Sequence, residues 1–113
     1  MSCIFCRIIS RQLPADIVFE DEQLLAFRDI APQAPKHILI IPKRHIESVN
    51  DLRPEDAELA GKMVLLARDL ANREGFDRRG YRLVMNCNHD GGQSVYHLHL
   101  HLLGGRIFRW PPG

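Results

Sequence analysis

Apolar residues recur along this chain with two different periods, and the switches between them divide it into short elements. Ile4, Phe5, Ile8 and Ile9 share one side of a helical repeat and predict a short amphipathic helix over Ile4 to Ser10, ended by Leu13-Pro14. Ile17 to Glu20 and Leu24 to Asp29 read as strands joined by the polar turn Glu20-Asp21-Glu22. Pro32 and Pro35 bracket a loop, and His37 to Pro42 reads as a buried strand stopped by proline. Leu59, Met63, Leu66 and Leu70 then form one apolar stripe, the clearest helix of the chain. Pro54 starts it, Glu55 and Asp56 suit the positive end of its dipole, and Gly75 closes it. Tyr81 to Asn86 is a fourth strand, Asn88 to Gly92 a loop, and Val95 to Leu103 a fifth strand. This order is no βαβ series. It predicts an α+β domain spanning 1–113: a five-stranded antiparallel sheet with one long and one short helix, both to one side.

Length and composition agree with that reading. The 113 residues suffice for a single domain, with 45% hydrophobic and 26% charged positions. A net charge of +1 gives no case for a nucleic-acid groove or a membrane-seeking surface, and no apolar run approaches a bilayer span. No secretory signal is visible at the start, so the expected compartment is the cytoplasm, where thiols stay reduced. Three cysteines do not suggest a disulfide scaffold. Cys87 is expected to be a small buried residue in a strand, whereas Cys3 and Cys6 form a C-x-x-C pair.

The chemistry concentrates in Tyr96-His-Leu-His-Leu-His-Leu102. In a strand the alternation puts His97, His99 and His101 on one face and Leu98, Leu100 and Leu102 on the other. Residues two apart on one strand face lie roughly 6.5–7 Å from each other, so three such histidines close poorly on one metal. Divided labour fits better, with one imidazole as nucleophile and its neighbours orienting it or contacting substrate. The lead-in His89-Asp-Gly-Gly-Gln-Ser94 adds close backbone approach at its glycines and donors from Gln93 and Ser94. That combination suits attack on phosphorus.

His97-Leu-His-Leu-His-Leu-Leu103 resembles the signature of the histidine-triad (HIT) superfamily at every position. The chain is most similar to its Hint branch through Phe27 to Pro35, His37 to Pro42, Gly91 to Tyr96, Leu103 to Arg106 and Trp110 to Gly113. The resemblance implies His99 as nucleophile, His101 on the phosphate, His97 orienting His99, and His37 completing the cluster. It implies phosphate contacts from Asn86, Gly92, Gln93, Ser94 and Val95, with Ser94 assisting the leaving amine, and ribose contacts from Asp29. Phe5, Ile8, Phe27 and Ile30 would form an apolar slot for a purine. The implied reaction is hydrolysis of a purine nucleoside 5′-phosphoramidate through a nucleotidyl-histidine, with no cofactor required for catalysis. A homodimer with a continuous ten-stranded sheet is implied as well, with Trp110 near the partner's site. Two other readings stay open: a nucleotide-binding regulatory or scaffold protein, and a dinucleoside polyphosphate hydrolase or nucleotidyl transferase. The Gly-Gly-Gln-Ser lead-in and Trp-Pro-Pro-Gly tail argue against the last.

A C-x-x-C pair by itself is ambiguous between zinc and redox use, and the chain lacks the βαβ context of a redox motif. A tetrahedral structural zinc needs two further ligands, commonly histidine. Some HIT relatives supply them after the Ile-Pro strand and at the start of the triad. Carried over, the ligands would be Cys3, Cys6, His45 and His97.

Overall fold

The computed structural model describes residues 3–113. Helix α1 spans Ile4–Ile9, strands β1 to β3 span Ile17–Glu20, Leu24–Arg28 and Lys36–Pro42, and helix α2 spans Ala57–Arg73. Strand β4 is Tyr81–Val84, a one-turn helix α3 is Asn88–Gly91, and β5 is Leu100–Gly104. The strands form one antiparallel sheet in the order β1-β2-β3-β5-β4. The long helix begins as expected. Pro54 opens a 3-10 turn, and the Asp56 carboxylate accepts the Arg53 N–H at 2.9 Å. It ends at Gly75, whose φ of +83° supplies the left-handed residue that closes a helix.

Two expectations change. The helices are not on one side. α2 covers one sheet face through Met63, Leu66 and Leu70, packed with Ile38, Ile40, Leu98, Leu100 and Leu102. α1 covers the other face through Phe5 and Ile8, packed with Leu25, Phe27, Leu39 and Ile41. The fifth strand is also shorter than Val95 to Leu103. β5 begins at Leu100 because continuing its register with β3 would pair Leu98 with Pro42. Proline has no N–H for the ladder, and the Pro42 carbonyl is taken by the His97 ring at 2.8 Å. Leu98 donates instead to the Ile46 carbonyl at 2.7 Å. The side chains still alternate: the leucines stay with α2 and the histidines face α1.

Smaller corrections follow from local geometry. The Asn88 to Gly92 loop contains the turn α3, β2 stops before Asp29, and β4 stops before Asn86. Cys87 lies outside any strand and is only half-buried. No helix among the described residues is long and apolar enough to cross a membrane.

Candidate active site and metal cluster

The hydrogen bonds of the histidines decide where each ring carries its proton. A carbonyl can only accept, so His99 Nδ1 donates to the His97 carbonyl at 2.7 Å, and the neutral ring keeps a lone pair on Nε2. A backbone N–H can only donate, so His37 Nδ1 accepts from Gln33 at 3.0 Å. His37 Nε2 then donates to His101 Nδ1 at 2.9 Å, and the His101 proton sits on Nε2. Burial holds both rings neutral. It pushes His37 below the ordinary imidazole value, with Asp29 opposing, and it pushes His101 down to about 4, helped by His99 and His37. No buried side-chain nitrogen or oxygen among the described residues lacks a partner, so the unpaired Nε2 atoms of His99 and His101 are open to the cleft. One presents a lone pair and the other an N–H.

That cleft has a volume of about 570 Å³. Phe5, Ile8, Phe27, Asp29, Ile30, Ser94 and Val95 line it together with His99 and His101. The Phe5 ring meets Phe27 edge-on at 5.4 Å and His99 at 5.2 Å between centroids. Phe5, Ile8 and Phe27 are buried, while Ile30 is 98% exposed and forms a rim. Asp29 Oδ1 accepts the Ala31 N–H at 2.8 Å, and Oδ2 lies 3.5 Å from His37 Nε2.

The glycine lead-in works differently from the sequence expectation. The Gln93 amide is buried and fully used. Its oxygen accepts the Asn88 N–H, and its nitrogen donates to the carbonyls of Glu47 and Val95. The N–H groups of Gly92 and Gln93 are spent inside the α3 turn on His89 and Asn88. Asn86 is not among the residues that line the cleft. The Ser94 and Val95 N–H groups, beside the cleft, make no such backbone hydrogen bond among the described residues. Gln93 was legible as polar, but only the fold shows that it props the loop from inside.

Cys3, Cys6, His45 and His97 also come together, each offering one ligand atom within 4.8 Å of the others. His97 Nδ1 lies 3.3 Å from Cys3 Sγ, 3.6 Å from Cys6 Sγ and 3.1 Å from His45 Nδ1, and Cys6 Sγ lies 3.4 Å from His45 Nδ1. Zinc bonds of about 2.3 Å to sulfur and 2.0–2.1 Å to nitrogen give tetrahedral edges of roughly 3.3–3.8 Å. The four residues fit that ion. Pro42 fixes the His97 proton on Nε2, which turns the Nδ1 lone pair toward the cluster, as a buttressed ligand requires. His97 was expected either to orient His99 or to bind metal. Its carbonyl accepts from the His99 ring, and its own ring lies in the four-residue cluster.

Residues 2–107 match the family described as "Scavenger mRNA decapping enzyme C-term binding", and solved neighbours of this fold include HIT and histidine triad proteins. The chain belongs to the histidine-triad family. A purine nucleoside phosphoramidase of Escherichia coli is 54% identical over 103 residues, covering 91% of this chain and 87% of that protein. The crystal structure of a HIT family hydrolase from Legionella pneumophila superposes with a TM-score of 0.97 at 56% identity, over 99% of this chain and 100% of the other. A zinc-bound histidine triad family protein from Mycobacterium smegmatis has a TM-score of 0.80 at 33% identity, over 94% and 76% of the two chains.

Proposed function

We propose that the protein hydrolyses purine nucleoside 5′-phosphoramidates, with His99 as nucleophile and a nucleotidyl-histidine intermediate. One observation carries this reading: the His97 carbonyl holds the His99 proton on Nδ1 and leaves the Nε2 lone pair open to the cleft. The purine would lie between Phe5, Ile8 and Phe27 with Ile30 at the rim, and Asp29 would accept from the ribose hydroxyls. Nε2 bonds to phosphorus as the bond to the amine breaks. The growing positive charge on the ring faces a carbonyl aligned before the reaction. His101 donates Nε2–H to a phosphate oxygen, and the Ser94 and Val95 N–H groups supply further donors. The Ser94 hydroxyl protonates the departing amine. Water then attacks phosphorus, its proton returns to the Ser94 oxygen, the bond to Nε2 breaks, and the nucleoside monophosphate leaves.

Cys3, Cys6, His45 and His97 would hold a structural zinc, a reading supported by their donor chemistry and by the zinc-bound relative. Zinc there would cross-link α1 to the triad and take no part in the displacement. A ten-stranded homodimer would need one of the two edge strands, β1 or β4, to pair with its copy. Three free cysteines suit a reducing cytoplasm.

The test supplies adenosine 5′-phosphoramidate and, separately, a dinucleoside polyphosphate. The expected outcome is ammonia and AMP from the first, with a nucleotidyl adduct on the peptide bearing His99 after a denaturing quench at alkaline pH. Turnover of the polyphosphate alone, or hydrolysis without an adduct in single-turnover conditions, overturns the reading.

A further inference from the structure

The side chain and main chain of His97 point at different sites. Its ring belongs to the cysteine cluster, and its carbonyl is the only hydrogen-bond partner of the His99 ring among the described residues. The ring is completely buried and held on the other side by Pro42. Little can move the ring without turning the peptide that carries the carbonyl. We infer that the Cys3–Cys6–His45–His97 cluster and the nucleotide cleft are energetically coupled, so that zinc in one and a nucleotide in the other strengthen each other's binding. The inference rests on the zinc and nucleotide readings above.

Two features carry the coupling. The first is the cluster itself. Without a cation, four polar atoms crowd together within 4.8 Å, four of their six separations at 3.1–3.6 Å, with thiols as weak donors and the His97 Nδ1 a bare acceptor. A cation satisfies all four at once and fixes the ring, and with it the carbonyl that aligns His99. The second is α1. Six residues are too few to hold a helix by themselves. α1 is tied down by Phe5 and Ile8 on the sheet and by Cys3, whose sulfur accepts the Cys6 N–H at 3.4 Å. Phe5 stands between the two ligand cysteines, and its ring touches both His97, at 5.9 Å, and His99. Ile4, Phe5 and Ile8 also line the cleft. Metal would therefore clip the wall of the base pocket to the strand that bears the nucleophile.

Coupling between binding sites is reciprocal: the factor by which AMP changes zinc affinity must equal the factor by which zinc changes AMP affinity. A zinc that only stabilises the fold away from the cleft gives a factor of one. The experiment measures zinc affinity of the full chain by competition with a chromophoric chelator, with and without saturating AMP. The expected result is zinc binding about 5-fold tighter or more in the presence of AMP, matched by the same gain in AMP affinity on zinc loading. Should the chelated protein unfold, cobalt-loaded protein provides a second readout, and its visible ligand-field bands are expected to shift saturably as AMP is added. Equal zinc affinities, or cobalt bands indifferent to AMP, overturn the coupling while leaving both sites standing. Absence of stoichiometric metal, or of AMP binding to the metal-loaded protein, removes one of the two sites. Either result overturns the coupling together with the reading that failed.

Discussion

Leu98, Leu100 and Leu102 and the three histidines that alternate with them occupy the same six residues, yet they build opposite interiors. The leucine face is closed by a 17-residue helix with hydrocarbon on both sides of the interface. The histidine face is closed by a six-residue helix that leaves a cleft beside it. Burial on the first face is an end in itself, since every apolar atom removed from water contributes to stability. On the second face burial does chemical work. It keeps His37, His97 and His101 neutral, and each then needs a partner whose donor or acceptor character fixes its proton. One strand thus separates a face selected for volume from a face selected for hydrogen-bond direction.

Substitutions on the two faces should therefore fail in different ways. The largest effect is expected from His99→Ala, with a loss of about 10³-fold or more in single-turnover phosphoramidate cleavage. AMP binding, read by calorimetry, should persist. Cleavage within tenfold of wild type would move the nucleophile elsewhere. Next comes Leu102→Ala on the opposite face, fully buried under α2. It should cost about 2–5 kcal/mol in urea unfolding, while the rate per folded molecule stays near wild type. A rate loss without a stability loss would break the comparison.

The smallest expected effect is the pH response of the histidine face. His37 and His101 have folded values below those of the unfolded chain, His101 at about 4 against roughly 6.5 for a free imidazole. Between those values the unfolded chain binds protons that the native state refuses. Stability is then complete above about pH 6.5 and is lost as the pH falls toward 4. The urea midpoint should decline across that window, and His101→Gln should flatten part of the decline. An unchanged slope in that variant would take His101 out of the buried neutral pair.

Much of the fold was legible because binary patterning reports which face of an element is apolar. The stripe from Leu59 to Leu70 gave α2, and the His-Leu alternation gave the two faces around β5. The pattern gave no warning that β5 starts only at Leu100, because that depends on the strand opposite, where Pro42 has no N–H to offer. It also assigned both helices to one side, since an amphipathic helix does not state which sheet face it will cover. Asp29, Ser94 and Val95 were named from the resemblance and do meet at the cleft with His99 and His101. Gln93 and Gly92 did not become open donors, because their polar groups close the α3 turn.

The sequence by itself determined that three histidines share a face and that two cysteines stand one helical turn apart, since both follow from backbone period. It could not determine how protons are distributed among the rings. That depends on which carbonyls and N–H groups arrive from distant segments: Pro42 against His97, Gln33 against His37, and the His97 carbonyl against His99. Only the tertiary structure turned a row of equivalent imidazoles into a metal-facing ring, a lone pair and a donor, because hydrogen-bond direction is a property of neighbours rather than of the residue.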